Sequence, residues 1–165
     1  MIDMQAITQQ LSADSDAIRA LVQSVSTGQA RWKPAPDAWS MQAVMEHVYN
    51  EERLDFRKHL REMLNDPTAP WSEFPHAEYI PVSNCQQALE GFLQERKASL
   101  DWLAALGSPD WAITSSAPWG VISAGDVLVS WVAHDFLHLR QMIELGYAWN
   151  EAQASPCSVQ YAGGW

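Results

Sequence analysis

The stretch Trp131-Val132-Ala133-His134-Asp135-Phe136-Leu137-His138-Leu139-Arg140-Gln141-Met142 decides how this 165-residue chain is read. Its two histidines are four residues apart. On a helix that spacing stacks them on one face, with Cβ atoms about 5–6 Å apart. Val127, Leu128, Trp131, Met142 and Leu145 recur on the same stripe, so the face should point into a core. A buried imidazole left without a partner costs about 1–3 kcal/mol. One divalent cation would be a partner for both; hydrogen-bonded core histidines are the plainer alternative.

Working outward, Ser123 reads as the N-cap of this last helix, with Asp126 at the third position and Ile122 and Val127 as a hydrophobic staple. Gly146 should close it. A first helix follows from Met4, Ile7, Leu11, Ile18, Leu21 and Val25, from about Asp3 to Thr27 with Gly28 as terminator. Asp14 falls on its apolar stripe, as a helix-edge or water contact or as a group near a site. Trp32, Pro34, Pro36 and Trp39 make a connector. Ser40 caps a second helix that carries Met41, Val44, Met45, Val48, Phe56, Leu60 and Met63 and ends at Asp66-Pro67. Ser83 with Gln86 resembles a capping box for a third helix, with Leu89, Phe92, Leu93, Leu100 and Leu103 running to Gly107. Strand signals such as Trp111-Ala112-Ile113-Thr114 are too few for a sheet.

Residues 65–82 contain four prolines and no helical period. Such a segment can extend to about 60 Å, whereas a helix of two dozen residues is about 36 Å long. It can therefore travel the length of the molecule and start the third helix parallel to the second. An all-α four-helix bundle with a long crossover between helices 2 and 3 follows. The chain is expected to be one domain, 1–165, with a helical core at about 3–146 and an aperiodic tail at 147–165.

Composition narrows the partners. A net charge of −10 without Lys/Arg clusters argues against nucleic acid and against an anionic membrane. No run of 18 apolar residues suggests a membrane span. Cys85 and Cys157 form no CxxC and no disulfide framework, and the first residues lack a signal-peptide pattern. A cytoplasmic protein acting on a small molecule is the expectation.

In a bundle, metal sites are built from inward side chains on facing helices. His47 lies about 10 Å from the start of the second helix, and His134 and His138 average about 15 Å from Gly146. With the second and fourth helices antiparallel, as the crossover favours, the three imidazoles converge near one end. Three neutral imidazoles with open positions describe a catalytic metal site, since structural zinc is usually closed by four ligands.

Trp39-Ser40 opening a helix, His47 on it, Gly125, then His134-x-x-x-His138-x-x-Gln141 and Gly146 together resemble the DinB/YfiT-like superfamily across nearly the whole chain. The resemblance implies an up-down-down-up four-helix bundle, often a homodimer, with His47, His134 and His138 as ligands of a divalent metal such as zinc, nickel, iron or manganese. It also implies a metal-dependent transferase that uses a low-molecular-weight thiol, an isomerase or a hydrolase.

In such a site a thiol or a water would be activated for attack. Glu51, four residues from His47, is the candidate catalytic proton acceptor or partner of that histidine; a solvated helix carboxylate is the other reading. Gln141 could orient a ligand or fill a polar gap. Arg140 should point away, and His59 and His76 lie off the level of the site. Cys157 offers a less favoured Cys/His reading. Trp32, Trp39, Trp119 and Trp131 could wall an apolar pocket. The rival function is a non-catalytic bundle that dimerises or binds a partner, its metal structural or absent.

Overall fold

The computed structural model describes residues 2–163. Six helices and one hairpin follow in order: α1 Met4–Gln23, α2 Thr27–Arg31, α3 Met41–Leu54, α4 Phe56–Asn65, α5 Cys85–Ala105, β1 Thr114–Ala117, β2 Gly120–Ser123 and α6 Ala124–Gln153. Single 3-10 turns lie at His76–Glu78 and Gln160–Ala162. Around the bundle, α1 packs on α5, α5 on α3, α3 and α4 on α6, and α6 back on α1. It is a four-helix bundle in which α3 and α4 together make one arm. No helix among the described residues is long and apolar enough to cross a membrane.

The expected caps form where side chains can reach free N–H groups. Ser40 accepts from Ala43 N, and Ser123 and Asp126 form a reciprocal capping box. At α5 the cap moves by one residue. Asn84 accepts from Gln87 N at 2.9 Å, and Gln87 in turn takes the N–H of Ser83.

Four boundaries differ from expectation. α1 stops at Gln23, and Gly28 lies inside a new turn of helix, α2, because Ser26 accepts from Gln29 N and restarts the chain. The second predicted helix is broken at Asp55, whose backbone (φ −116°, ψ −92°) leaves the helical region. Its carboxyl group is drawn instead to the His59 ring. α6 does not end at Gly146 but continues to Gln153. A Cβ at Gly146 would meet nothing within 4 Å, so that half-buried glycine is a helix-interior position with only its helix-propensity cost. The tail is thus helical through 153; its last two residues, Gly164 and Trp165, lie outside the described residues.

The fourth difference is the hairpin inside the second connector, with Ala117 paired to Gly120 across Pro118-Trp119. The residues leading into it bind the start of α6, where Ala124 N donates to Ile113 O at 2.8 Å and Gly125 N to Trp111 O at 2.9 Å. A side chain at Gly125 would begin 3.2 Å from that carbonyl, so the close approach needs glycine.

The crossover is pinned along α3. The buried Asn50 amide accepts from Ile80 N and donates to Ile80 O, and Glu46 accepts from Val82 N. These bonds satisfy the backbone of a segment that has no ladder of its own.

The interior falls into two apolar clusters. One holds Ile18, Val22, Met45, Val48, Phe92, Leu139 and Met142; the other holds Leu11, Leu60, Leu103, Leu128 and Trp131. Along each long helix a charged residue intervenes: Asp14, Glu52, Arg96 and Asp135, all buried.

Candidate metal centre

His47 is carried by α3, and His134 and His138 by α6, one turn apart on its inward stripe. Nε2 of His47 lies 3.3 Å from Nε2 of His134, which lies 3.1 Å from Nε2 of His138. All three histidines can offer a donor atom within 4.8 Å of the others. Three imidazole nitrogens about 2.0–2.1 Å from one tetrahedral cation would stand about 3.3 Å apart, so the spacing suits a cation.

The protonation pattern points the same way. Nδ1 of His138 donates to the Gln141 side-chain oxygen at 2.9 Å, which leaves a lone pair on Nε2. Burial, followed by the charge of His138, holds His47 down at about 4. Burial, followed by the other two imidazoles, holds His134 down at about 3. His138 is lowered by burial as well. Three neutral rings face one another at short range, and a cation would turn that crowding of nitrogens into coordination.

Carboxyl groups stand beside this cluster. Glu51 Oε1 is 3.7 Å from Nδ1 of His47. Burial, with the adjacent Asp55 carboxylate, pushes Glu51 up to about 8. Burial opposes ionisation of Asp55 too, but hydrogen bonds from His59 and Glu51 hold it below the usual carboxylate range. Glu51 keeps the proton of this pair at neutral pH, and Asp55 keeps the charge. Asp55 has this role because the break between α3 and α4 frees its side chain.

Aromatic rings complete the walls. The Trp39 ring meets His47 edge-on at 5.2 Å, and Phe56 lies 5.0 Å from His134 while stacking on Trp131. Of the four tryptophans considered for the pocket, Trp39 alone has a ring contact with the histidines. Trp131 is core, Trp32 packs on Trp149, and Trp119 stands exposed at the hairpin tip against Trp71.

The remaining candidates lie apart. His59 is buried under Trp71, with Nδ1 on Asp55 and Nε2 donating to Ser72 O at 3.0 Å. Burial opposes a charge on this ring, but the hydrogen bonds to Asp55 and to the Ser72 carbonyl raise it above the ordinary histidine value. The Ser72 hydroxyl, 3.3 Å from Nε2, donates to Glu62 Oε2 at 2.6 Å while Nε2 faces the Ser72 carbonyl, an arrangement unlike a Ser72-His59-Asp55 triad. His76 packs on Phe74 in the crossover, Arg140 pairs with Glu144 on the exposed side of α6, and Cys157 is exposed beyond the helix end.

A family model of the DinB superfamily matches residues 10–142. The chain belongs to the DinB superfamily. Solved structures share its fold at low identity. YfiT from Bacillus subtilis, described as a probable metal-dependent hydrolase with an unusual four-helix bundle topology, superposes with a TM-score of 0.73 at 15% identity, covering 91% of each chain. TT2238, described as a four-helix bundle protein, gives 0.63 at 18% identity, over 86% of this chain and 99% of its own. A conserved protein from Enterococcus faecalis gives 0.64 at 17%, over 90% and 97%. No curated protein matches.

Proposed function

We propose that this chain is a divalent-metal-dependent hydrolase of small molecules, with His47, His134 and His138 as the metal ligands. The observation that carries the reading is the convergence of three neutral imidazoles at 3.1–3.3 Å beside a protonated carboxyl group. The description of YfiT as a probable metal-dependent hydrolase supports it.

A cation bound here would supply Lewis acidity, polarising a carbonyl oxygen and making a water or a thiol more acidic near neutral pH. The chain's own residues do the rest. Gln141 holds His138 in the tautomer whose Nε2 is free. Glu51 and Asp55 hold one proton between them next to His47, and can take up or return a proton at the Glu51 carboxyl. Trp39 and Phe56 make the walls beside the histidines apolar, which favours an uncharged, partly apolar substrate.

The test is elemental analysis of the purified protein, then hydrolysis of a chromogenic carboxylic ester by the zinc-, nickel- and manganese-loaded forms, with and without a small thiol. One ion per chain, removable by chelator without unfolding, is expected, with thiol-independent hydrolysis that is lost in His134→Ala. Full metal content in His134→Ala would overturn the ligand set. Turnover that requires the thiol would replace hydrolysis with thiol S-transfer, and a chain that binds no metal would leave the non-catalytic bundle.

A further inference from the structure

One guanidinium joins all four arms of the bundle. Arg96 on α5 is 1% exposed. It donates to the Leu11 carbonyl on α1 at 2.9 Å, to Glu52 Oε2 on α3 at 2.8 Å, and to both Asp135 oxygens on α6 at 2.6 and 3.0 Å. The Trp131 indole N–H on α6 donates to the same Glu52 oxygen at 2.8 Å, tying α3 to α6 a second time. Glu52 and Asp135 are 2% and 1% exposed.

Stability alone is a weak account of this arrangement. Glu52 Oε1 and Arg96 Nε have no hydrogen-bond partner, nor does Oδ2 of the nearby buried Asp14. Buried ionic clusters of this kind are often matched or bettered in stability by apolar side chains of similar volume. Directional hydrogen bonds do something apolar contacts do poorly: they fix the rotation of a helix about its own axis. The two carboxylates lie where rotation matters. Asp135 directly follows His134, and Glu52 is five residues beyond His47. With side-chain tips about 5–6 Å from a helix axis, a turn of about 10° moves an imidazole nitrogen by about 1 Å. Metal–ligand distances tolerate only about 0.2 Å.

We propose that Arg96, with Glu52 and Asp135, is a positioning brace that sets the rotation of α3 and α6 so that His47, His134 and His138 point at one centre. The proposal rests on the metal reading of that centre. None of the three brace side chains is a ligand; they act through the helices that carry the ligands.

The deciding variant is the triple Arg96→Met/Glu52→Gln/Asp135→Val, which removes the three charges of the brace together and keeps an acceptor for Trp131. Arg96→Lys is measured beside it, since it keeps the charge and loses the fork. Circular dichroism and thermal melting report the fold; zinc titration and the cobalt(II) absorption spectrum report the centre. The expected result is a folded triple variant whose zinc affinity is lower by about 10–100-fold, with an altered cobalt band. Arg96→Lys should show a smaller loss of the same kind. A folded triple variant with wild-type zinc affinity and the wild-type cobalt spectrum would overturn the brace. If the triple variant does not fold, Arg96→Lys decides, and unchanged affinity there overturns it equally. A wild-type protein that binds neither ion ends the metal reading and the brace together, whereas tight wild-type binding with indifferent variants ends the brace alone.

Discussion

The side-chain oxygen of Gln141 lies 2.9 Å from Nδ1 of His138, three residues earlier on the same helix. An amide oxygen only accepts, so the ring proton stays on Nδ1 and the Nε2 lone pair faces the other two histidines. Gln141→Leu removes that acceptor and frees the ring to change tautomer. Zinc affinity, measured by competition with a chromogenic chelator, should fall about 10–100-fold, with the melting temperature of the metal-free protein little changed. Unaltered affinity would mean that the tautomer is held by something else.

On the proposed reading Glu51 handles a proton and is not a ligand. Glu51→Gln keeps the size and the hydrogen-bond donor toward Asp55 but cannot titrate. The expected outcome is one metal ion per chain with kcat lower by about 10²–10⁴-fold. Lost metal with retained turnover per bound ion would instead mark Glu51 as part of the coordination.

The depressed histidines set a pH dependence for the metal-free protein. His47 and His134 bind protons less readily when folded, at about 4 and about 3, than in the unfolded chain at about 6.5. Between those values the unfolded state holds more protons, so stability rises with pH. Their contribution is complete above about pH 6.5 and is lost as pH falls toward the folded values. Melting of the metal-free protein from pH 7 to 4 should show this decline, and His134→Gln should flatten part of it. Parallel profiles for the two proteins would contradict the assignment.

α3 and α5 approach closely at one point. A Cβ on Gly91 would sit 2.7 Å from Cε2 and Cζ of Tyr49, so Gly91→Ala must displace the tyrosine ring. A loss of about 1–3 kcal/mol is expected despite alanine's better helix propensity. For a chain of this size that lowers the melting temperature by about 2–4 °C per kcal/mol. A rise would show that the ring moves aside freely.

Much of this arrangement was legible because it follows from local rules. Ser40 and Ser123 cap helices as their hydroxyls dictate, and four-residue spacing puts His134 and His138 on one face. The break at Asp55 was not, because Leu54-Asp55-Phe56 contains no glycine or proline, and Asp55 restarts the helix as the residue before α4, its carboxyl on His59 one turn later. Gly146 differs for the opposite reason, since a glycine inside a helix costs it only about 1 kcal/mol and need not end it. The hairpin at Thr114–Ser123 follows a segment whose Trp111 and Ile113 carbonyls are tied to the start of α6, which no period of two reveals. The Arg96 cluster did leave a trace. Glu52 continues the stripe Met41, Met45, Val48; Arg96 continues Leu89, Phe92; and Asp135 continues Leu128, Trp131. Opposite charges on the apolar stripes of three helices signal a shared partner, and Asp14 was the only such position singled out.

The charged layer also fixes how far each helix can travel along the bundle. On α1 it falls between Leu11 and Ile18, on α3 beyond Val48, on α5 between Phe92 and Leu103, and on α6 between Trp131 and Leu139. Sliding one helix by a single turn, about 5.4 Å, would set its ion among hydrocarbon neighbours and leave the others facing a gap. Leucine-rich bundles have many near-equal alignments; this one has a stop set by its ions.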